Sequence, residues 1–368
     1  MKRIIAVVAA LALCVGVLAG CTAQAATPSA PSSKVKVVCA TFPAYDWVKQ
    51  VVGDQSDRYE ITYLMGSGTD LHSYQPTVDD IAKISSCDLF VYVGGESDGW
   101  AEDAVKAAAN PNMHVVNMLK AVGDAAVEEE VVEGMQAEGE GHDHESEAGH
   151  DHATEADHDH DHDADAHEHA ADAHDHESEA GHHHDESSEP EYDEHVWLSL
   201  RNAQKIVDAI AGELSAVDAG AADTYAANAK AYKEQLADLD GRYGKMVKDA
   251  KYNTVVFADR FPFRYLVDDY NLSYYAAFVG CSAETEASFE TIAFLAKKVD
   301  ELGLKAVLVI EGSDQKIAQT VVQGTKDKNQ KILVMDSLQS TPDSDVAAGK
   351  TYLSAMEGNL KVLAEALN

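Results

Sequence analysis

The sequence predicts an α/β protein of two lobes, each a mostly parallel sheet with flanking helices, joined by a long helix. Three observations predict it. Short β-branched or aromatic runs alternate with helical patterns in two separate stretches, about four strands to each. The Pro-free stretch 198–250 between them carries apolar residues at helical spacing. A tract of acid and imidazole, with only Ala as apolar content, interrupts the chain where no core can form.

The chain of 368 residues opens on "MKRIIAVVAALALCVGVLAGC". Lys2 and Arg3 precede an apolar run, Ile4 to Leu18, too short to span a membrane comfortably, so residues 1–20 read as a secretory signal. The small residues before Cys21 resemble a bacterial lipobox, which implies cleavage before Cys21 and lipid on its sulfur. Residues 21–34, small and Pro-containing, suit a tether.

The first lobe is expected over residues 35–126. Its strands are "VKVVCATF", "YEITYLM", "DLFVYVG" and "MHVVNM", with helices near Tyr45–Val52, Val78–Ser85 and Trp100–Ala109. Residues 127–192 read as a disordered acidic His-rich loop. Residues 193–250 carry helices, among them a linking helix from about Ala221 to Asp249 with Tyr225, Ala229, Tyr232, Leu236, Leu239 and Tyr243 on one face. At 1.5 Å per residue it reaches roughly 40 Å, enough to span two lobes and to disfavour large hinge closure. The second lobe, 251–368, has strands "YNTVVFA", "YYAAFV", "KAVLVI" and "KILVMD" and helices at 289–302, 314–324 and 346–367.

Formal net charge is −36, but residues 128–194 hold 27 Asp and Glu, and no Lys or Arg lies between Lys120 and Arg201. The remainder carries −9, without a basic stripe, so a nucleic-acid partner is excluded. Cys39, Cys87 and Cys281 remain after the leader, an odd number that implies no complete disulfide framework; Cys39 and Cys87 read as buried thiols, and Cys281 stands among the candidate ligands, with a structural thiol favoured.

Of 17 histidines, 14 lie in the tract: His142, His144, His150, His152, His158, His160, His162, His167, His169, His174, His176, His182, His183 and His184. Imidazoles beside carboxylates take borderline metals such as zinc, and a flexible chain can wrap several round one ion. Such a segment collects metal without defining a specific site. His72 lies in a Gly-containing loop after a strand, and His195 lies where the tract gives way to a helix. His114, within a strand, is given no role.

The motifs "GTDLHSYQPTVDDI", "DEHVWLS" after a His-rich insertion, "YAANAKAYKEQLADLD", "FRYLVDDYNL", "AETEASFETI", "VLVIEGSDQK" and "ILVMDSL" cover nearly the whole mature chain. In this order they resemble the metal-binding lipoproteins of bacterial ABC importers for zinc and manganese, the cluster A-I (cluster 9) solute-binding proteins. The resemblance implies one metal in the cleft between two lobes. It implies His72 and His195 as first-lobe ligands and Asp336, ending "KILVMD", as the second-lobe carboxylate. Where the family has His or Glu, this chain has Arg260, whose guanidinium offers no lone pair. Water could complete the site, or Asp259, Glu284, Glu311 or Cys281 could move in; Glu284 is the residue preferred, and Arg260 could instead hold a carboxylate in place.

Two imidazoles and a carboxylate suit zinc, with manganese the alternative. The expectation is an extracytoplasmic, membrane-anchored, monomeric protein that captures Zn2+ and delivers it to an ABC permease. A zinc-dependent hydrolase is the rival, weakened by the absence of an H-E-x-x-H motif and of an evident general base.

Overall fold

A computed structural model describes residues 34–136, 191–282 and 286–368. The leader, Cys21, the fourteen tract histidines and Glu284 lie outside the described residues.

The first sheet is built from β1 (Val35–Cys39), β2 (Tyr59–Tyr63), β3 (Leu89–Tyr92) and β4 (His114–Asn117). They run in the order β2-β1-β3-β4 with every pairing parallel. Helices α1 (Phe42–Val52), α2 (Val78–Ser85), α3 (Gly99–Lys106) and α4 (Met118–Val122) make the crossovers and close the lobe. Strand β3 is apolar throughout and wholly buried, as a parallel strand covered on both faces must be. The second sheet repeats the plan. Strands β5 (Thr254–Phe261), β6 (Ser273–Val279), β7 (Ala306–Ile310) and β8 (Lys331–Met335) lie in the order β6-β5-β7-β8, again all parallel.

Between the sheets run α5 (Leu200–Val217) and α6 (Ala222–Asp249), the linking helix, 28 residues and about 42 Å long. Its N-terminal half sits on the first lobe, where Asn228 donates to the Val51 carbonyl and Tyr232 to Asp46. Its C-terminal half sits on the second, where the Tyr243 hydroxyl donates to the Met356 carbonyl. The second lobe adds α7 (Arg264–Tyr270), α8 (Phe289–Leu302), α9 (Lys316–Gly324), α10 (Asp343–Ala347) and α11 (Tyr352–Ala366).

One hydrophobic core runs from Val37 and Phe90, past Tyr232 and Leu236 of α6, to Phe257, Met356 and Leu363 in the second lobe. A smaller core lies beneath α8 and α9, formed by Val256, Leu295, Val321 and their neighbours. At the seam, Trp47 of α1 meets Tyr352 of α11 edge to face, with ring centroids 4.9 Å apart. The Tyr352 N–H donates to the buried Asp46 carboxylate (3.1 Å), and its hydroxyl to the Trp197 carbonyl (2.6 Å). Trp197 Nε1 donates in turn to the Ser337 carbonyl (2.8 Å).

Three expectations need correction. The single helix expected over 346–367 is two, because Gly349 adopts a positive φ of 96° and Thr351 starts α11 afresh with a capping box. Strand β5 continues past 258 to Phe261 through a register shift between Phe257 and Arg260, so Arg260 is a strand residue. Residues 127–136, expected within the disordered loop, form a packed strap. Its Val127 and Glu129 backbones pair with Asp193 and Glu191, and the Gln136 N–H reaches the Ala277 carbonyl of β6.

Because the core is continuous across the lobes, chemical denaturation is expected to give one transition. Trp47→Ala should shift it by about 3–5 kcal/mol without splitting it; two resolved transitions would show separable lobes.

Candidate metal centre

In open parallel sheets, ligand-binding residues gather beyond the carboxyl ends of the strands. His72 lies in the loop after β2, on a short 3₁₀ turn, Leu71–Ser73. Asp70 caps that turn by accepting the His72 N–H (3.0 Å), and buried Leu71 anchors it. Downstream, Thr77 and Asp80 form a capping box that starts α2, so the loop is held at both ends.

The His72 ring is oriented by the loop after β3, with Nδ1 2.7 Å from Ser97 Oγ. That loop is itself fixed by two acids. Asp98 accepts the N–H groups of Val93 (2.7 Å) and Gly94 (3.3 Å), and Glu194 Oε1 accepts the Ser97 N–H (2.6 Å).

His195 is wholly buried, directly before the short turn Val196–Leu198. One oxygen of Asp193 accepts both its backbone N–H (2.8 Å) and its ring Nδ1–H (2.9 Å). The ring packs on Trp197, centroids 5.3 Å apart, and against Gly280, where an added Cβ would stand 2.9 Å from His195 Cε1. The two Nε2 atoms are left facing each other 3.2 Å apart.

This geometry assigns the tautomers. Asp193 holds the His195 proton on Nδ1, so His195 Nε2 is a bare acceptor and the His72 Nε2–H donates to it. Burial, with His195 and then Arg260 opposing a further positive charge, pushes the His72 imidazole down to about 3. The His72 ring is therefore neutral, the form that coordinates a cation. Glu194 Oε2 lies 3.7 Å from His72 Nδ1 and is a buried oxygen without a hydrogen bond.

Among the described residues, one group brings together three side chains able to share an ion: His72, His195 and Cys281, with ligand atoms all within 4.8 Å of one another. Cys281 was expected to be a structural thiol. It follows β6 directly after Gly280, and its N–H is held by Glu129 of the strap (3.2 Å). Burial, then the carboxylates of Glu194, Glu129 and Asp193, push its thiol up. Its place at a strand's carboxyl end was visible in the sequence; that it faces the histidines was not.

Asp336 is not in this group. Its Oδ2 pairs with Lys350 Nζ at 2.6 Å, its Oδ1 accepts the Leu338 N–H and its own N–H bonds Asn359. The other carboxylates considered are also engaged. Glu311 accepts from both the N–H and the hydroxyl of Ser337, and Asp259 accepts the N–H groups of Arg260 and Ile310.

Arg260, expected to displace a ligand, crosses the cleft instead and bonds Asp70 Oδ2 (2.8 Å) with one nitrogen. Burial acts to raise the Asp70 carboxyl, but Arg260 outweighs it and holds the group below its ordinary value. The open part of the cleft is about 550 Å³, lined by Asp70, His72, Arg260, Phe278, Ser282 and Glu311 among others. His114 lies elsewhere, on β4, paired with Glu213 (2.7 Å).

Residues 37–366 match the family model described as zinc-uptake complex component A, periplasmic. The chain is 31% identical over 363 residues to the zinc-binding lipoprotein AdcA of Streptococcus pneumoniae, covering 99% of this chain and 60% of that one. It thus spans about three fifths of the streptococcal relative's length. It is also 28% identical to the high-affinity zinc uptake system protein ZnuA of Bacillus subtilis, covering 97% of this chain and 96% of the other. Among solved structures, the Zn(II)-bound ZnuA-like domain of S. pneumoniae AdcA superposes with a TM-score of 0.63 at 26% identity, over 91% of this chain and 99% of that domain.

The loop that carries Ser97 leads to a pH prediction. Burial, reinforced by Glu194, pushes the Asp98 carboxyl up to about 7. A raised folded-state value means the native state holds that proton more tightly than the unfolded chain. The resulting stabilisation is complete below about pH 4 and is lost as pH rises towards 7. Asp98→Asn should therefore flatten the fall in urea midpoint across this window; an unchanged slope would show that Asp98 is ionised throughout.

Proposed function

The chain belongs to the zinc-uptake complex component A family, and on that premise we propose that it binds a zinc ion between its lobes, outside the cell, and passes it to an ABC-type permease. The observation that carries the reading is the facing pair of His72 and His195 Nε2 atoms, 3.2 Å apart and each backed by an outer partner. Tetrahedral zinc with nitrogens at 2.0–2.1 Å separates two of them by about 3.3 Å, so the ion takes the place of one proton between the rings. As it enters, the His72 proton moves from Nε2 to Nδ1. There Ser97 Oγ, 2.7 Å away, accepts it, with the buried Glu194 carboxylate behind at 3.7 Å.

Nitrogen donors and a His-rich collector favour zinc over manganese, which prefers oxygen. Asp336 joins the site in this reading only if Lys350 releases it, and Glu284 is the remaining acidic candidate. Binding and release are assigned here, with no chemical turnover.

The proposal keeps the protein monomeric and anchored at the outer membrane face through lipid on Cys21. It also keeps residues 137–190 as a zinc collector. The strap and Glu191–Tyr192 form the two ends of that tract and pair with each other, and Glu129 of the strap touches Cys281. Weak sites tethered so near the cleft raise the local zinc concentration.

Chelator competition should find one tight zinc that is lost in His72→Ala and in His195→Ala and weakened about 10–100-fold in Asp193→Ala. Tight binding that survives both histidine changes places the ion elsewhere. Deleting residues 137–190 should slow uptake when zinc is limiting but not when it is abundant; unchanged uptake at low zinc removes the collector role.

A further inference from the structure

We propose that Cys281 supplies a thiolate to the ion held by His72 and His195, so that this chain binds zinc in a His2Cys site with sulfur as the second lobe's donor. The inference rests on the reading of the cleft as a zinc site and goes further in naming its third ligand.

Geometry carries it. The Cys281 Sγ and the histidine nitrogens lie within 4.8 Å of one another, and no other such group occurs among the described residues. Tetrahedral zinc, with nitrogen at 2.0–2.1 Å and sulfur at 2.3 Å, sets these atoms about 3.6 Å apart, so closure asks for a movement of roughly 1 Å. The backbone already fixes the approach. Gly280 lies against the His195 ring so closely that a Cβ would be 2.9 Å from Cε1, and the Cys281 N–H is tied to Glu129.

The competing donors of the second lobe are committed elsewhere. Asp336 is paired with Lys350, Glu311 with Ser337, and Asp259 with two backbone N–H groups. Arg260 cannot ligate and is engaged with Asp70. Glu129, Asp193 and Glu194 stand near the sulfur and make the pocket electronegative, which suits a divalent cation. On binding, the Cys281 S–H proton passes to water, a zinc–sulfur bond forms and one water leaves the ion; no electron is transferred. Cys39 and Cys87 are buried in the first lobe, away from this group.

Cobalt(II) reads sulfur directly. Titrated into the full chain, the first equivalent should give tetrahedral d–d bands together with an intense near-ultraviolet sulfur-to-cobalt charge-transfer band, both removed by zinc. The tract of residues 137–190 contains no cysteine, so cobalt bound there adds no such band. Cys281→Ser should keep d–d absorption, lose the charge-transfer band and bind zinc more than about tenfold more weakly. A wild-type spectrum without that band, while His72→Ala and His195→Ala still abolish tight cobalt binding, overturns the cysteine ligand and leaves the zinc cleft standing. A band that persists in Cys281→Ser assigns the sulfur to another cysteine and also overturns the proposal. Absence of any histidine-dependent tight site overturns both readings.

Discussion

The rest of the structure depends on the seam where Asp46, buried in α1, accepts the Tyr352 N–H at the start of α11. A buried carboxylate is costly unless hydrogen-bonded, so this interaction ties the first lobe to the last helix of the second. Burial holds the Asp46 carboxyl above its ordinary value, and the Tyr352 N–H, then Gln50, Lys49 and Tyr232, offset only part of that rise. Around it, Trp47, Tyr352 and Trp197 make one aromatic and hydrogen-bonded unit reaching the Ser337 carbonyl, next to Asp336. The same Trp197 packs against His195. The brace between the lobes and the wall of the candidate metal centre are thus one piece of structure.

Within that frame the cleft is set by charge. Two imidazoles, a thiol and several carboxylates converge at the cleft, and Arg260 provides the opposing positive group. Its pairing with Asp70 does two things at once. It offsets the Asp70 carboxylate charge, and it fastens the His72 turn, which Asp70 also caps, to strand β5 of the other lobe. Arg260 is thus a clamp between lobes.

The strap, residues 127–136, gives the acidic tract a structural root. It crosses to the second lobe, where Gln136 bonds Ala277 and Ser288, and Gly134 fits against Phe294 so tightly that a Cβ would overlap the ring. The tract leaves from Gln136 against β6 and returns at Glu191, beside Asp193 and Glu194, the acids that position the two histidines.

The sequence by itself determined the two parallel sheets and the linking helix, and it singled out His72 and His195 as candidates. Short β-branched or aromatic runs and the period-3.6 pattern are local, and β3, β7 and α6 fall where they place them. His72 and His195 were legible because each sits in a distinctive loop at an element boundary. Tertiary structure decided the partners. That Lys350 takes Asp336, that Arg260 reaches Asp70 across the cleft, and that Cys281 faces the histidines depend on loops far apart in the chain meeting at the strand ends. The reach of a side chain across such a gap is fixed by the packing of the lobes, which no local pattern in the sequence encodes.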